Sequence, residues 1–149
     1  MCRKQTGSLV PQICAFSTAS ISPPLKNSPA YKTYKSSPSV DRGFCGTCGS
    51  PMTFNDEKEA EYTDIFVGVF DEDVLLGKRD EANAWEDEYG RHVPRVGGFG
   101  KELCAAKEHL FLENSIPGLT DDLPGKKWLA NRPDGNAFTS KLSDFARPS

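Results

Sequence analysis

The most apolar run of the chain, Ile65-Phe66-Val67-Gly68-Val69-Phe70, follows Tyr62 to Asp64 with no helical period. A short continuous apolar run of this kind predicts a buried central strand over Tyr62 to Phe70. Asp71 comes next, placed to cap a short helical turn through Leu76, and Gly77 is placed to end it. Upstream, Ser8 to Ser17 mixes β-branched and aromatic residues around a single Pro11, the pattern of an edge or bulged strand. Thr18 to Lys35 holds Pro23, Pro24 and Pro29 before Tyr31-Lys32-Thr33-Tyr34-Lys35. The spacing of its tyrosines breaks simple alternation, so the stretch predicts a loop and then a short strand.

Lys78 to Lys107 is charged and glycine-rich and predicts an irregular surface excursion. Within it, Gly97-Gly98-Phe99-Gly100 lacks, by pattern, the preceding strand and following helix that would make it cradle a ligand. Glu108 to Glu113 predicts a final strand, bounded by the turn residues Asn114-Ser115 and Pro117-Gly118. Residues 129–149 read as a loosely packed tail. The expected architecture is a single domain over 1–149, mainly β, with small antiparallel sheets and long irregular loops, and no internal repeat.

Composition agrees with short strands and many turns: the 149 residues include 13 Gly and 11 Pro, with aromatics at 10% for a core. A net charge of -3 removes the basic footprint of a general nucleic-acid binder and favours small molecules or proteins as partners. Arg3 and Lys4 precede the apolar stretch Leu9 to Phe16, but Pro11 and Gln12 interrupt it. No run approaches the ~18 apolar residues of a membrane span. Five cysteines, an odd number at irregular spacing, argue against a disulfide framework and for metal binding in a reducing compartment, the cytoplasm or the nucleus.

The chemistry concentrates in Arg42-Gly43-Phe44-Cys45-Gly46-Thr47-Cys48-Gly49-Ser50. In a zinc knuckle two cysteines flank a tight turn, and a glycine after each lets backbone N–H groups point at the thiolates. Gly46 and Gly49 supply both glycines. The competing reading is a redox dithiol, but Gly49, Ser50 and Pro51 are poor helix formers, and the helix that would activate such a pair is not expected. Cys2, ahead of Arg3-Lys4-Gln5-Thr6-Gly7, is either a thiolate held near cations or a frayed terminal residue. Cys14 and Cys104 lie among apolar neighbours and read as small hydrophobes. His92 and His109 have no partner at metal spacing and read as solvated or satisfied. No GxGxxG after a strand, GxxxxGK[ST], HExxH or GxSxG is present, leaving phosphate and serine-hydrolase chemistry unsupported.

Taken in order, Cys2-Arg3-Lys4-Gln5-Thr6-Gly7-Ser8, Tyr34-Lys35-Ser36-Ser37, Arg42 to Met52 with its CGTCG core, and a strand beginning Asp64-Ile65 resemble the glutathione-dependent formaldehyde-activating enzyme family, whose domain is shared with centromere protein V. The resemblance covers Cys2 to Trp128. It implies a tent-like, Mss4-like fold around zinc, and a carbon–sulfur lyase activity that joins glutathione, or a related thiol adduct, and formaldehyde into S-hydroxymethylglutathione. In the family a structural zinc is held by a CxC pair and a later CxxC; Cys45 and Cys48 match the latter. A catalytic zinc is held by a CxCxxC that runs into Arg-Lys-x-Thr-Gly, and Cys2 matches its third cysteine. Because Met1 stands directly before Cys2, the other four ligands have no counterpart in the sequence. The chain is thus expected to be an N-terminally shortened member with impaired activity, or else a zinc-stabilised non-catalytic interaction module.

Overall fold

The computed structural model describes residues 2–132 and 137–142, without the side chain of Cys2. Two compact units are present, Met1–Cys104 and Ala105–Ser149. The first is built mainly from short β-strands, and the described part of the second from turns and loops around one two-stranded pair.

In the first unit, α1 (Cys2–Thr6) ends at Gly7, whose φ of +65° suits glycine. Five strands follow: β1 (Ile13–Ser17), β2 (Tyr31–Ser37), β3 (Val40–Cys45), β4 (Pro51–Asp56) and β5 (Tyr62–Phe66). They form one antiparallel sheet in the order β1-β5-β4-β3-β2. The strand expected over Ser8 to Ser17 forms in its second half and is an edge, as Pro11 suggested. The most apolar run is shorter as a strand than its pattern predicts. Val67 N–H donates to Gln12 O at 3.1 Å, after which Val67–Val69 turns as a 3-10 helix. That turn brings Phe70 edge-to-face against Phe16, with ring centroids 5.8 Å apart. The central place belongs to β4, whose Thr53 pairs with Gly43 on one side and Ile65 on the other and is 1% exposed.

The two tyrosines of β2, three residues apart, point to opposite faces as strand geometry requires. Tyr31 reaches the buried Thr53, while Tyr34 packs at 6.1 Å against Phe44. Arg42 is buried, with Nε donating to Ser36 Oγ and its guanidinium 5.0 Å above the Phe54 ring.

Asp71 and Gly77 bracket α2 (Glu72–Leu75) as the pattern predicts. The Asp71 main-chain carbonyl accepts from Val74 N, and no side-chain cap forms. The expected irregular excursion is instead ordered into β6 (Gly77–Arg79), β7 (Trp85–Asp87), β8 (Gly90–His92), β9 (Arg95–Gly97) and α3 (Gly100–Cys104). β6 pairs with β9 and β7 with β8, both antiparallel. Strands of three residues are too short for alternation to reveal. The glycine-rich segment therefore does have a strand before it and a helix after it, contrary to expectation. Its glycines serve packing, since a Cβ on Gly98 or Gly100 would run into the backbone of Leu75.

In the second unit the strand expected over Glu108 to Glu113 reduces to β10 (Glu108–His109), parallel to β11 (Lys126–Lys127). Phe111 adopts φ 58°, ψ 39°, which breaks the extension and starts a 3-10 turn at Leu112. Leu112, Phe138 and Leu142 form its core with Leu129 against them. Lys127 is buried, its ammonium donating to Thr139 O and Ser140 O. Among the described residues no helix is long and apolar enough to cross a membrane.

Candidate metal centre

Residues 46–50 connect β3 to β4, and local chemistry explains their shape. Cys45 N–H donates to Ser50 O at 2.9 Å and Gly49 N–H to Cys45 O at 2.8 Å, closing the turn onto its own ends. Gly49 has φ +79°, a conformation that disfavours any side chain. A third bond anchors the turn from outside: Gly46 N–H donates to Ala30 O at 2.6 Å, next to the start of β2. As the sequence predicts, no helix follows the pair; the chain instead continues into the strand β4.

This backbone creates an electrostatic cradle for one sulfur. The amides of Cys48 and Thr47 and the Cys48 thiol donate toward Cys45 Sγ and hold its thiol below the ordinary thiol range. Hydrogen bonds to the charged form are what stabilise a thiolate, and a thiolate is the species that binds metal. Cys48 Sγ lies 3.2 Å from Ser50 Oγ. Cys45 is half-buried, and Gly46 to Ser50 are exposed, so the pair faces solvent.

Two soft donors with amide groups around them fit half of a tetrahedral zinc site. Among the described residues no group of three or more His, Cys, Asp or Glu side chains could hold a metal ion. The other half is therefore not supplied by the described side chains.

The remaining candidates lie apart from this turn. Cys2 opens α1, and its side chain lies outside the described residues. Cys14 is half-buried on β1 with its Sγ 3.9 Å from Leu103 O. Cys104 is exposed at the end of α3, which corrects its reading as a small hydrophobe: α3 turns it to solvent. None of the four described cysteines is in a disulfide. His92 stacks on Trp85 at 5.0 Å and meets Asp87 Oδ1 at 2.8 Å, and His109 Nε2 donates to Pro124 O at 2.9 Å. Both are satisfied, as their sequence contexts suggest.

Sequence reasoning missed two contributors to the turn. Ser50 appeared only as a poor helix former, although a hydroxyl two residues after a cysteine is a local signal for a sulfur contact. Lys32 gave no signal, because its packing beside Gly46 depends on β2 pairing with β3.

The family model described as glutathione-dependent formaldehyde-activating enzyme matches residues 1–88. That span holds α1, the whole five-stranded sheet and the Cys45–Cys48 turn. Neither a curated protein nor a solved structure matches the chain.

Proposed function

Since the chain belongs to the glutathione-dependent formaldehyde-activating enzyme family, we propose that it is a zinc-dependent carbon–sulfur lyase-type domain that joins glutathione and formaldehyde into S-hydroxymethylglutathione. The family match over residues 1–88 carries this reading, and the Cys45 cradle supports it chemically. The five-stranded sheet and the turn are then parts of a tent-like, Mss4-like arrangement around a zinc knuckle. A reducing compartment, cytoplasm or nucleus, suits the thiols described.

Cys45 and Cys48 would hold a structural zinc, and Cys2 would be a ligand at a catalytic one. When bound with an open position, zinc acts as a Lewis acid and keeps a ligated thiolate ionised at neutral pH. The chain's own residues prepare the structural half. The Thr47 and Cys48 amides favour the ionised form of Cys45, and the bonds from Cys45 N–H and Gly49 N–H fix the turn before metal arrives.

The second reading is a zinc-stabilised, non-catalytic interaction module. It is favoured by the lack of any three-donor group among the described residues. One assay separates the two. Zinc-loaded protein is mixed with glutathione and formaldehyde, and the adduct is followed by NMR against the spontaneous reaction. A rate above background that falls on chelation supports the lyase; bound zinc with only the background rate supports the module.

A further inference from the structure

We propose that Cys14 and Cys104 form a redox modification site: Cys104 takes up half of a low-molecular-weight disulfide, and Cys14 resolves that adduct into a Cys14–Cys104 disulfide. The proposal is independent of zinc and of lyase activity, since neither cysteine is among the zinc ligands proposed above. Far apart in sequence, the two are brought together by the fold of the first unit. Cys14 and Phe16 are the half-buried positions of β1, on its inner face, and Gln12, just before the strand, continues that alternation.

Two contacts from this face reach the last two carbonyls of α3. Gln12 Nε2 donates to Cys104 O at 2.9 Å, and Cys14 Sγ lies 3.9 Å from Leu103 O. The last carbonyls of a helix have no partner inside it, so these contacts seat the end of α3 on β1. Gln12 is itself anchored, its main-chain oxygen accepting from Val67 N–H at 3.1 Å. A planar trans peptide holds the next Cα about 2.8 Å from a carbonyl oxygen, which puts Cys14 Sγ no more than about 7 Å from the Cys104 Cα. Rotation of the Cys104 side chain and a small shift at the end of α3 close that gap to disulfide geometry.

Exposure divides the roles. Cys104 is exposed and Cys14 half-buried, so a small disulfide R–S–S–R meets Cys104 first. The Cys104 thiolate attacks one of its sulfurs; a Cys104–S–R bond forms, the S–S bond breaks and RS⁻ leaves. Cys14 then attacks Cys104 Sγ, forms the protein disulfide and expels the second RS⁻. The two protons of the protein thiols end on the two RSH released, and two electrons pass from the protein sulfurs to the small disulfide. In a reducing compartment such a link is transient, a switch rather than a framework. While it lasts it ties β1, an edge of the five-stranded sheet, to α3.

The test is a time course of the reduced full chain with glutathione disulfide, quenched by alkylation of the remaining thiols and read by peptide mapping in a mass spectrometer. The expected result is a glutathione adduct on Cys104 that gives way to a linked pair of peptides bearing Cys14 and Cys104, reversed by a dithiol reductant. Cys14→Ser stops at a persistent adduct on Cys104, and Cys104→Ser yields neither the link nor an adduct on Cys14. Gln12→Ala, on an exposed side chain, leaves adduct formation unchanged and slows closure about fivefold, because one hydrogen bond of the seat is lost. A persistent adduct on Cys104 in the parent, Cys14 linked to any other cysteine, or a Cys104 that does not react overturns the proposal. Each of these outcomes leaves the zinc-dependent lyase reading untouched, which zinc uptake and product formation test separately.

Discussion

The Tyr31 hydroxyl lies 2.7 Å from Thr53 Oγ1, reaching it over the bare Cα of Gly43. A strand-interior glycine costs conformational entropy, and here it makes room for an aromatic ring crossing from β2 toward β4. Tyr31 lies beside the Cys45–Cys48 turn, since it pairs with Cys45 in the β2–β3 ladder.

Gly43→Ala is therefore destabilising. The new methyl would collide with Thr53 Oγ1 and the Tyr31 ring, and overpacking of this kind costs about 1–3 kcal/mol. Urea unfolding with an unchanged m-value and a lower midpoint would verify it. Tyr31→Phe in the same background, which removes the hydroxyl but not the ring, would restore little.

Cys45→Ser lowers the zinc bound per chain in metal analysis. It also lowers the thermal midpoint of zinc-loaded protein, because a ligand that binds only the folded state stabilises it. In excess chelator the variant and the parent melt together. An unchanged midpoint with zinc present would remove the metal from this turn.

Acid weakens the second unit through Glu108. The Arg132 guanidinium, with a further bond from the Trp128 indole, holds this carboxyl below the usual range against the opposing effect of burial. A pKa depressed on folding means that the stabilisation is present above the unfolded value near pH ~4.3 and is lost as pH falls through the folded value. Unfolding curves from pH 6 to pH 3 should show a loss in the parent that Glu108→Gln flattens.

Arg95 ties α2 to the β6–β9 pair. It bonds Asp73 Oδ1 at 2.9 Å, Gly77 O at 3.0 Å, and the Glu72 carboxylate. Arg95→Met removes charge-assisted bonds at a largely buried side chain and costs on the order of 1 kcal/mol or more. Faster proteolysis within residues 72–97, with less difference from the parent at high salt, is the expected readout, since the carboxylates themselves are exposed.

The features that could be read directly from the chain are those set by neighbours in sequence. The CGTCG turn, the absence of a helix after it, and the end of α2 at Gly77 follow from glycine and proline acting within a few positions. The mainly β character likewise follows from composition and from Tyr62 to Phe66. Contacts between distant segments decided the rest. β4 took the centre because β3 and β5 flank it; Gly43 is bare because Tyr31 crosses it; the glycines after β9 are small because Leu75 lies against them. The three-residue strands between Gly77 and Gly97 exist only as paired ladders, and no single strand of that length carries a period. For the Cys45–Cys48 turn the division is similar. Its two sulfurs and their amides are local and legible, whereas Lys32 and the Ala30 anchor arrive through the β2–β3 pairing, whose register depends on hydrogen bonds between residues far apart in the chain.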